Sequence, residues 1–233
     1  MIETYVALDV ETTGLNPADD KIIEIGMAKV HNGCICESFS TLVYPQTDMD
    51  ERITQLTGIS PDMLEGKPVI SDIIGDVLDF IGDEPILGHN IIFDYSFLKK
   101  AAVNSGLKFE KKGIDTLKLS RRLLPDAPHK NLEYLCGYFN IDAGNSHRAY
   151  DDAVSAKLLY EKLWSMKPDE PGFDELIPLN YSVKKDSPIT AAQKRYLTAL
   201  LEKHGLNLQV DIDLLTKSKA SRMIDKIILQ YGK

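Results

Sequence analysis

The sequence contains few cysteines and no long hydrophobic run. Only three of its 233 residues are cysteine, Cys34, Cys36 and Cys136, which excludes a disulfide-stabilised scaffold. Cys34 and Cys36 are one residue apart on a predicted strand, a spacing not typical of zinc sites, so we expect buried or half-buried free thiols in a cytoplasmic protein. No apolar stretch approaches the roughly 20 residues of a membrane-spanning helix. Because Met1 leads directly into a strand, no signal peptide is expected.

Positive charge is scarce in most of the chain and concentrated near its C-terminal end. Residues 1–166 include 16 basic and 26 acidic residues, whereas residues 182–233 include 10 basic and 5 acidic residues. An acidic body does not attract nucleic acid through its overall charge. It still allows a site in which metal ions neutralise the acids and then bind phosphate. The basic end indicates either an ordinary solvated surface or a contact with nucleic acid or an acidic partner.

The order of the predicted elements indicates an α/β domain. Strands are predicted over residues 4–10, 22–30 and 34–43, and the Asn-Gly turn at 32–33 makes the last two a hairpin. Further along, short apolar strands alternate with amphipathic helices. This order predicts a mixed sheet with helices on its faces.

The composition further divides the chain into three segments. We predict a domain over residues 1–166 and a linker over 167–187, since the latter contains Pro and Gly and has no hydrophobic period. Residues 188–233 are predicted to form a small basic helical module. Its first helix begins at a capping box formed by Thr190 and Gln193.

The first strand carries two carboxylates close together. Side chains two positions apart on a strand point the same way, so Asp9 and Glu11 stand side by side. Such acids repel each other unless a cation lies between them or one of them stays protonated. The alternative for this pair alone is a strand end that turns at Gly14 with both acids in water.

Two more acids lie where a helix should face the core. Asp94 stands near the start of a helix whose inward positions are otherwise apolar, where an acid needs a partner. A later helix, beginning near Ala149, places Asp152 on its packed face. Its neighbour Asp151 falls on the solvent side, where a helix N-terminus favours an acid. His147 precedes Asp152 by five residues.

Four carboxylates and a histidine in these positions predict a two-metal site. Oxygen ligands without cysteine favour a hard divalent cation, Mg²⁺ or Mn²⁺. Two such ions about 4 Å apart suit in-line attack on a phosphodiester, because one activates water and the other stabilises the leaving oxygen. An imidazole titrating near neutral pH is suited to accept the proton of the water, and this role is expected of His147.

Three ordered motifs carry a resemblance to a known family. Residues 9–15 read Asp-Val-Glu-Thr-Thr-Gly-Leu, residues 89–94 read His-Asn-Ile-Ile-Phe-Asp, and residues 147–152 begin with His and end with Asp. With the loop at 53–59, they resemble the DEDDh (DnaQ-like) 3′–5′ exonucleases. Within that family the likeness is closest to the proofreading exonuclease of bacterial DNA polymerase III, of the epsilon-subunit type or the Gram-positive-type polymerase segment. It covers about residues 3–165.

The resemblance implies a fold, a cofactor set and a role for each motif residue. It implies a ribonuclease H-like fold with a five-stranded mixed sheet flanked by helices, and two Mg²⁺ or Mn²⁺ ions. By resemblance, Asp9, Glu11 and Asp152 hold the first ion. Asp9 and Asp94 serve the second ion, and His147 is the general base. The residues implied in substrate binding are Thr12, Thr13, Gly14, Leu15, His89, Asn90 and Phe93.

The expected activity is release of nucleoside 5′-monophosphates from 3′ ends of single-stranded DNA, in replication proofreading or repair. The expected partner is a DNA polymerase or another replication or repair protein. RNA trimming ranks second, because the oligoribonuclease-like branch of the family usually has methionine where Thr12 or Thr13 stands here. A hypothesis of another class is an adaptor that binds nucleic acid or a replication protein through residues 188–233.

Overall fold

The computed structural model describes residues 1–142, 144, 147–208 and 211–232. The chain forms two compact units, Met1–Val183 and Lys184–Lys233. None of the described helices has the length and hydrophobicity that crossing a bilayer requires.

The first unit is built on a mixed sheet whose central strand is the first in the sequence. The spatial order of the strands is β3-β2-β1-β4-β5-β6. As predicted, β1, β2 and β3 pair antiparallel, whereas β4 is parallel to β1 and β5 is parallel to β4. The strand bounds are β1 Tyr5–Thr12, β2 Ile22–His31, β3 Cys34–Leu42, β4 Ile86–Gly88, β5 Lys112–Asp115 and β6 Ile177–Pro178.

Helices cover both faces of this sheet. Val6, Leu8 and Val10 of β1 are buried in one core, whereas Tyr5 and Ala7 are buried in the other. Because strand side chains alternate between faces, a segment that is apolar at consecutive positions, as residues 5–8 are, is covered on both sides. The helices α3 and α4 contribute to the first core, and α5, α6 and α7 to the second. The helix bounds are α1 Glu51–Thr57, α2 Pro61–Leu64, α3 Ile70–Ile81, α4 Ile92–Asn104, α5 Thr116–Leu123, α6 Leu132–Phe139 and α7 Ala149–Met166.

The sheet has six strands rather than the predicted five. The sixth strand lies in the segment predicted as a linker, where Ile177 and Pro178 pair antiparallel with Gly113 and Lys112 of β5. Nearby, Phe173 and Leu179 are buried in the two cores. Ile177, Leu179 and Tyr181 recur there at alternate positions, as in a strand, but Pro171, Gly172 and Pro178 interrupt the segment and obscure the pattern. The structure therefore packs residues up to Val183 with the first unit.

The second unit consists of two helices with a shared apolar core. Helix α8 spans Ala191–His204 and helix α9 spans Lys217–Tyr231, with a short 3₁₀ helix over Ile212–Leu214 between them. The capping box of Thr190 and Gln193 is confirmed, since each side chain bonds the backbone N–H of the other residue. The buried residues between the helices include Leu197, Leu200, Ala220, Ile224 and Ile227.

The cysteines are partly where they were expected. Cys136 is buried on α6, but Cys34 and Cys36 are exposed, so the expected burial was wrong for this pair. The reason is that β3 is an edge strand and no helix covers most of its residues.

Candidate active site

Strand β1 places two carboxylates side by side on the face that α7 covers. Asp9 and Glu11 are half-buried, whereas the other residues of β1 are buried. Both fall on the same side as Tyr5 and Ala7, since alternate positions share a face. The strand register sets Asp9 opposite Gly26 of β2.

Gly26 allows the start of α7 to lie directly on the sheet. A Cβ atom at this position would lie 2.0 Å from the backbone N of Tyr150 and 2.2 Å from the carbonyl C of Ala149. Real Cβ atoms do not approach backbone so closely, hence only glycine fits. This approach brings Asp152, in the first turn of α7, close to Glu11.

Glu11, His147 and Asp152 form one cluster. A ligand atom of each residue lies within 4.8 Å of a ligand atom of the other two. The backbone N–H of His147 donates to Oδ2 of Asp152 (3.1 Å), and His147 has a left-handed backbone conformation with φ 65°. This conformation and this bond turn the chain into α7 and hold the imidazole beside the acids.

Asp94 lies outside this group of three and approaches Asp9 from the other side of β1. It lies in the first turn of α4, its side chain is buried, and Oδ1 accepts a hydrogen bond from the N–H of Val10 (3.0 Å). Strand β4 pairs with β1 only at Val6 and Ala7, so the N–H of Val10 lies past the end of that ladder and needs another acceptor. The buried acid therefore ties α4 to the peptide between Asp9 and Glu11.

Burial raises the pKa values of all four acids, and repulsion between carboxylates adds to this effect most clearly at Asp9. Burial is the largest cause of the raised pKa of Asp9, followed by repulsion from Asp94, Glu11 and Asp152. Burial raises the pKa of Asp94 well above its usual range. Burial, with repulsion from Asp152 and Glu24, raises the pKa of Glu11 to about 8, and the pKa of Asp152 is also raised, mainly by burial.

This donor set fits divalent cations. It consists of carboxylate oxygens and one imidazole with no thiolate, which suits a hard ion. The raised pKa values express the cost of gathering negative charges in a half-buried site, and an ion among them would remove that cost.

An ion pair beside the cluster was missed in the sequence. Glu24 of β2 is buried and pairs with Arg148, whose Nε and Nη2 atoms lie 3.1 Å and 2.7 Å from Oε1. Glu24 also accepts from the backbone N–H of Ala149 (3.1 Å). These bonds clamp the start of α7 onto β2. The signal in the sequence is Glu24 itself, an acid within the apolar run over residues 22–28 of β2.

The turn after β1 presents one exposed apolar side chain. The Thr12 hydroxyl donates to the Gly14 carbonyl (2.6 Å), and the Thr13 hydroxyl accepts from the N–H of Lys21 (2.9 Å). These bonds leave Leu15 at the tip of the turn, 84% exposed. Its predicted contact with a terminal base stays a prediction.

The His89 side chain is used within the protein. Its Nδ1 lies 2.9 Å from the Thr116 hydroxyl, and its Nε2 lies 2.7 Å from the Lys130 carbonyl. Burial lowers its pKa, which favours the neutral ring. The Lys130 carbonyl can only accept, so the proton of that ring lies on Nε2. Both ring nitrogens of His89 are thus bonded within the protein, and its predicted substrate contact stays a prediction.

The other two residues of this motif lie at the surface near His89. Asn90 is exposed, with a left-handed φ of 70°, and its N–H donates to the Asp115 carboxylate. Phe93 is half-buried and packs against Phe97, with ring centroids 5.0 Å apart. Both side chains are accessible, and their predicted substrate contacts stay predictions.

Comparison with known proteins identifies the family. The family model described as "Exonuclease" (RNase T type) matches residues 6–160. The chain belongs to this exonuclease family. It is 37% identical over 168 residues to the PolC-type DNA polymerase III of Clostridium perfringens, an alignment that covers 72% of this chain and 12% of that protein. The DNA polymerase III epsilon subunit of Aquifex aeolicus is 35% identical over 166 residues, covering 69% of this chain and 82% of the subunit.

Solved structures of the exonuclease fold agree with the architecture. A complex of Escherichia coli exonuclease I with single-stranded DNA superimposes with a TM-score of 0.64 at 19% identity, covering 72% of this chain and 42% of that one. This likeness confirms the predicted ribonuclease H-like α/β fold. The exonuclease chain spans only 12% of the length of the PolC-type relative, so it matches one part of that larger protein. The family typically uses divalent metals, and the acidic cluster is suited to bind them.

The Glu11 carboxyl makes the stability of the metal-free protein depend on pH. Its pKa is about 8 in the folded chain, against an ordinary value of 4.5, so the folded state binds more protons between these pH values. The free energy of unfolding that Glu11 contributes is therefore fully present below about pH 4.5 and is lost as the pH rises through about 8. We expect Glu11→Gln to remove this loss.

Thermal melting in chelator and in millimolar Mg²⁺ or Mn²⁺, from about pH 5 to about pH 8.5, measures this effect. Near pH 8.5 in chelator, Glu11→Gln should have a higher melting temperature than the unsubstituted chain. With metal the order should reverse, because metal binding stabilises the native state of the unsubstituted chain more strongly. Equal melting temperatures of the two chains in chelator at every pH would contradict the prediction.

Proposed function

We propose that this chain is a divalent-metal-dependent 3′–5′ exonuclease. It releases nucleoside 5′-monophosphates from 3′ ends of single-stranded DNA, in cytoplasmic replication proofreading or repair. The observation that supports this most strongly is the cluster of Glu11, His147 and Asp152, with Asp9 beside it and Asp94 bonded to the same strand. Few arrangements other than metal-dependent phosphodiester chemistry use four such carboxylates.

In this proposal, the carboxylates divide between two Mg²⁺ or Mn²⁺ ions. Asp9, Glu11 and Asp152 hold one ion, and Asp9 and Asp94 hold the other. When bound, the ions supply Lewis-acid activation and charge stabilisation during in-line displacement at phosphorus. The hydrogen bond from Val10 to Asp94, together with the clamp on α7, fixes the carboxylates relative to β1 before substrate arrives.

His147 acts as the general base on the attacking water. An unprotonated imidazole nitrogen accepts the proton as the oxygen attacks phosphorus, and it releases that proton to solvent after the product leaves. The bond between the His147 N–H and Asp152 sets the distance from the base to the acids.

The 3′-terminal nucleotide lies against the turn after β1 and the start of α4. The exposed Leu15 contacts the terminal base, and main-chain groups of Thr12, Thr13 and Gly14 contact the terminal sugar. Asn90 and Phe93 contact the substrate strand on the side opposite Leu15. His89 positions the neighbouring Asn90, because both nitrogens of the His89 ring are bonded, to the Thr116 hydroxyl and the Lys130 carbonyl.

The choice of DNA, and of a replication partner, is supported by what the relatives are called. Two are a PolC-type DNA polymerase III and a DNA polymerase III epsilon subunit, and the exonuclease I structure is a complex with single-stranded DNA. A DNA polymerase or another replication or repair protein is therefore the proposed partner.

The experiment compares matched DNA and RNA single strands carrying a 5′ label, with Mg²⁺, with Mn²⁺ and with chelator. The proposal expects stepwise shortening from the 3′ end, release of mononucleotides, a faster rate on DNA and no activity in chelator. Faster cleavage of RNA would show that RNA, and not DNA, is the preferred substrate, because the 2′-hydroxyl is the main difference at the cleaved residue. Undiminished cleavage in chelator would contradict the metal-dependent mechanism.

The basic second unit is tested in the same assay with a chain that ends at Val183. We propose that residues 188–233 add weak, salt-sensitive affinity for the strand, since basic residues outnumber acidic ones there and phosphate contacts weaken with salt. If the unit is instead an adaptor for a protein, its removal should leave the nuclease kinetics unchanged, and the unit should bind a protein ligand.

Replacing His147 by Ala should lower kcat about 10²- to 10⁴-fold, the usual range for loss of a general base. Metal binding should largely persist because the carboxylates remain. Single-turnover cleavage measures the first effect, and the rise in melting temperature with Mn²⁺ measures the second. His31→Ala, at the exposed last residue of β2, is the control and should retain full activity. Full activity of His147→Ala would exclude the proposed base.

A further inference from the structure

The start of helix α6 lies at the rim of the proposed active site. The carbonyl of Lys130 accepts the bond from Nε2 of His89, and Asn131 then caps α6 through its bond from the N–H of Tyr134. Glu133, in the first turn, lies near enough to raise the pKa of Asp152. A single-stranded nucleic acid that extends from the site past His89 therefore reaches the first turn of α6.

An aromatic strip starts at this rim and follows α6 away from it. His129 contacts Tyr134 edge-on, with ring centroids 5.2 Å apart, and Tyr134 lies nearly parallel to Tyr138, with centroids 6.2 Å apart. His129 is exposed and Tyr138 is 56% exposed. Since Tyr134 and Tyr138 are one helical turn apart, the rings form a line along the surface.

Positive charge lies at the active-site end of the strip. Arg121 is exposed on α5, whose first residue, Thr116, bonds His89, and Arg121 lies near enough to lower the pKa of that histidine. The first unit is otherwise acidic, with 17 basic and 30 acidic residues over 1–183. Acids at this rim include Glu133, which lies toward Asp152, and Asp115, whose carboxylate accepts a hydrogen bond from the N–H of Asn90.

The geometry points to a second binding segment for the substrate strand, an inference that rests on the proposed function. We propose that Tyr134, Tyr138 and His129 stack with bases upstream of the 3′-terminal nucleotide, and that Arg121 binds a phosphate between them and the scissile bond. Aromatic rings beside a cationic side chain are the usual means of holding single strands without reading their sequence. The strip would then favour longer strands over dinucleotides.

The test measures binding and cleavage across a length series of single-stranded oligo(dT). Binding is measured in an Asp9→Asn background, so that the strand is not degraded. Tyr138→Ala and the double substitution Tyr134→Ala/Tyr138→Ala should weaken binding of a dodecamer about 10- to 100-fold and raise KM with little change in kcat. Cleavage of a dinucleotide should be unchanged. Arg121→Gln should reduce the salt dependence of binding by about one phosphate contact.

Conservative variants separate stacking from folding. Tyr134→Phe/Tyr138→Phe keeps both rings and should bind like the parent, and unchanged melting temperatures would exclude a folding defect. The inference would be overturned if the alanine variants bound the dodecamer with wild-type affinity. It would also be overturned if cleavage of the dinucleotide fell as much as cleavage of the dodecamer, while the unsubstituted chain remained an active nuclease. Absence of nuclease activity in the unsubstituted chain would instead overturn the proposed function.

Discussion

Asp9→Asn should lower the cleavage rate by about 10³-fold or more. Repulsion from all three other acids raises the pKa of Asp9, and in the proposed site Asp9 contacts both ions. Loss of one charged ligand from each ion removes several kcal/mol of transition-state stabilisation, and about 1.4 kcal/mol corresponds to a tenfold change in rate. Release of mononucleotides from a 5′-labelled single strand measures the effect.

The same substitution should stabilise the metal-free fold while abolishing activity. The neutral amide removes a carboxylate whose pKa is raised by burial and by its acidic neighbours, so melting in chelator at about pH 8 should shift upward. Asp76→Asn, an exposed acid on α3, is the matched control and should change neither property. An active Asp9→Asn enzyme would exclude the proposed metal site.

Gly26→Ala should damage both stability and activity, although this residue bears no functional group. Its Cβ would clash with the backbone of Ala149 and Tyr150, so the start of α7 must move away from the sheet. We expect a loss of about 2–4 kcal/mol in the free energy of unfolding from this overpacking. The displacement carries Asp152 away from Glu11, and misplacement by about 1 Å costs about 10²-fold in rate.

Urea unfolding and single-turnover cleavage measure these two losses. Gly75→Ala is the control, because Gly75 is exposed within α3 and a Cβ there meets nothing within 4 Å. That change should be neutral or slightly stabilising, since alanine favours a helix. If Gly26→Ala unfolds and cleaves like the unsubstituted chain, the close contact between α7 and β2 does not position the site.

Much of the fold was predictable because its signals are local. The apolar run over residues 4–10 predicted the first strand, whose period places Asp9 and Glu11 on one side, and the helical spacing after Ala149 separated Asp152 from Asp151. The capping box at Thr190 and Gln193 needs only four consecutive residues. In contrast, β6 was missed because its two residues pair with a strand more than sixty positions earlier, and local composition indicated a linker.

The chemical identity of the candidate site was determined by the sequence alone. The four acids stand at positions where strand and helix periods direct them inward, and those periods depend only on backbone geometry, whereas His147 was linked to them by its nearness in sequence to Asp152. The tertiary structure alone decided what holds them together. Glu24 and Arg148 are 124 residues apart, and Gly26 is matched to the backbone of a helix far along the chain. No local pattern encodes such contacts, because they exist only once the sheet and α7 have packed against each other.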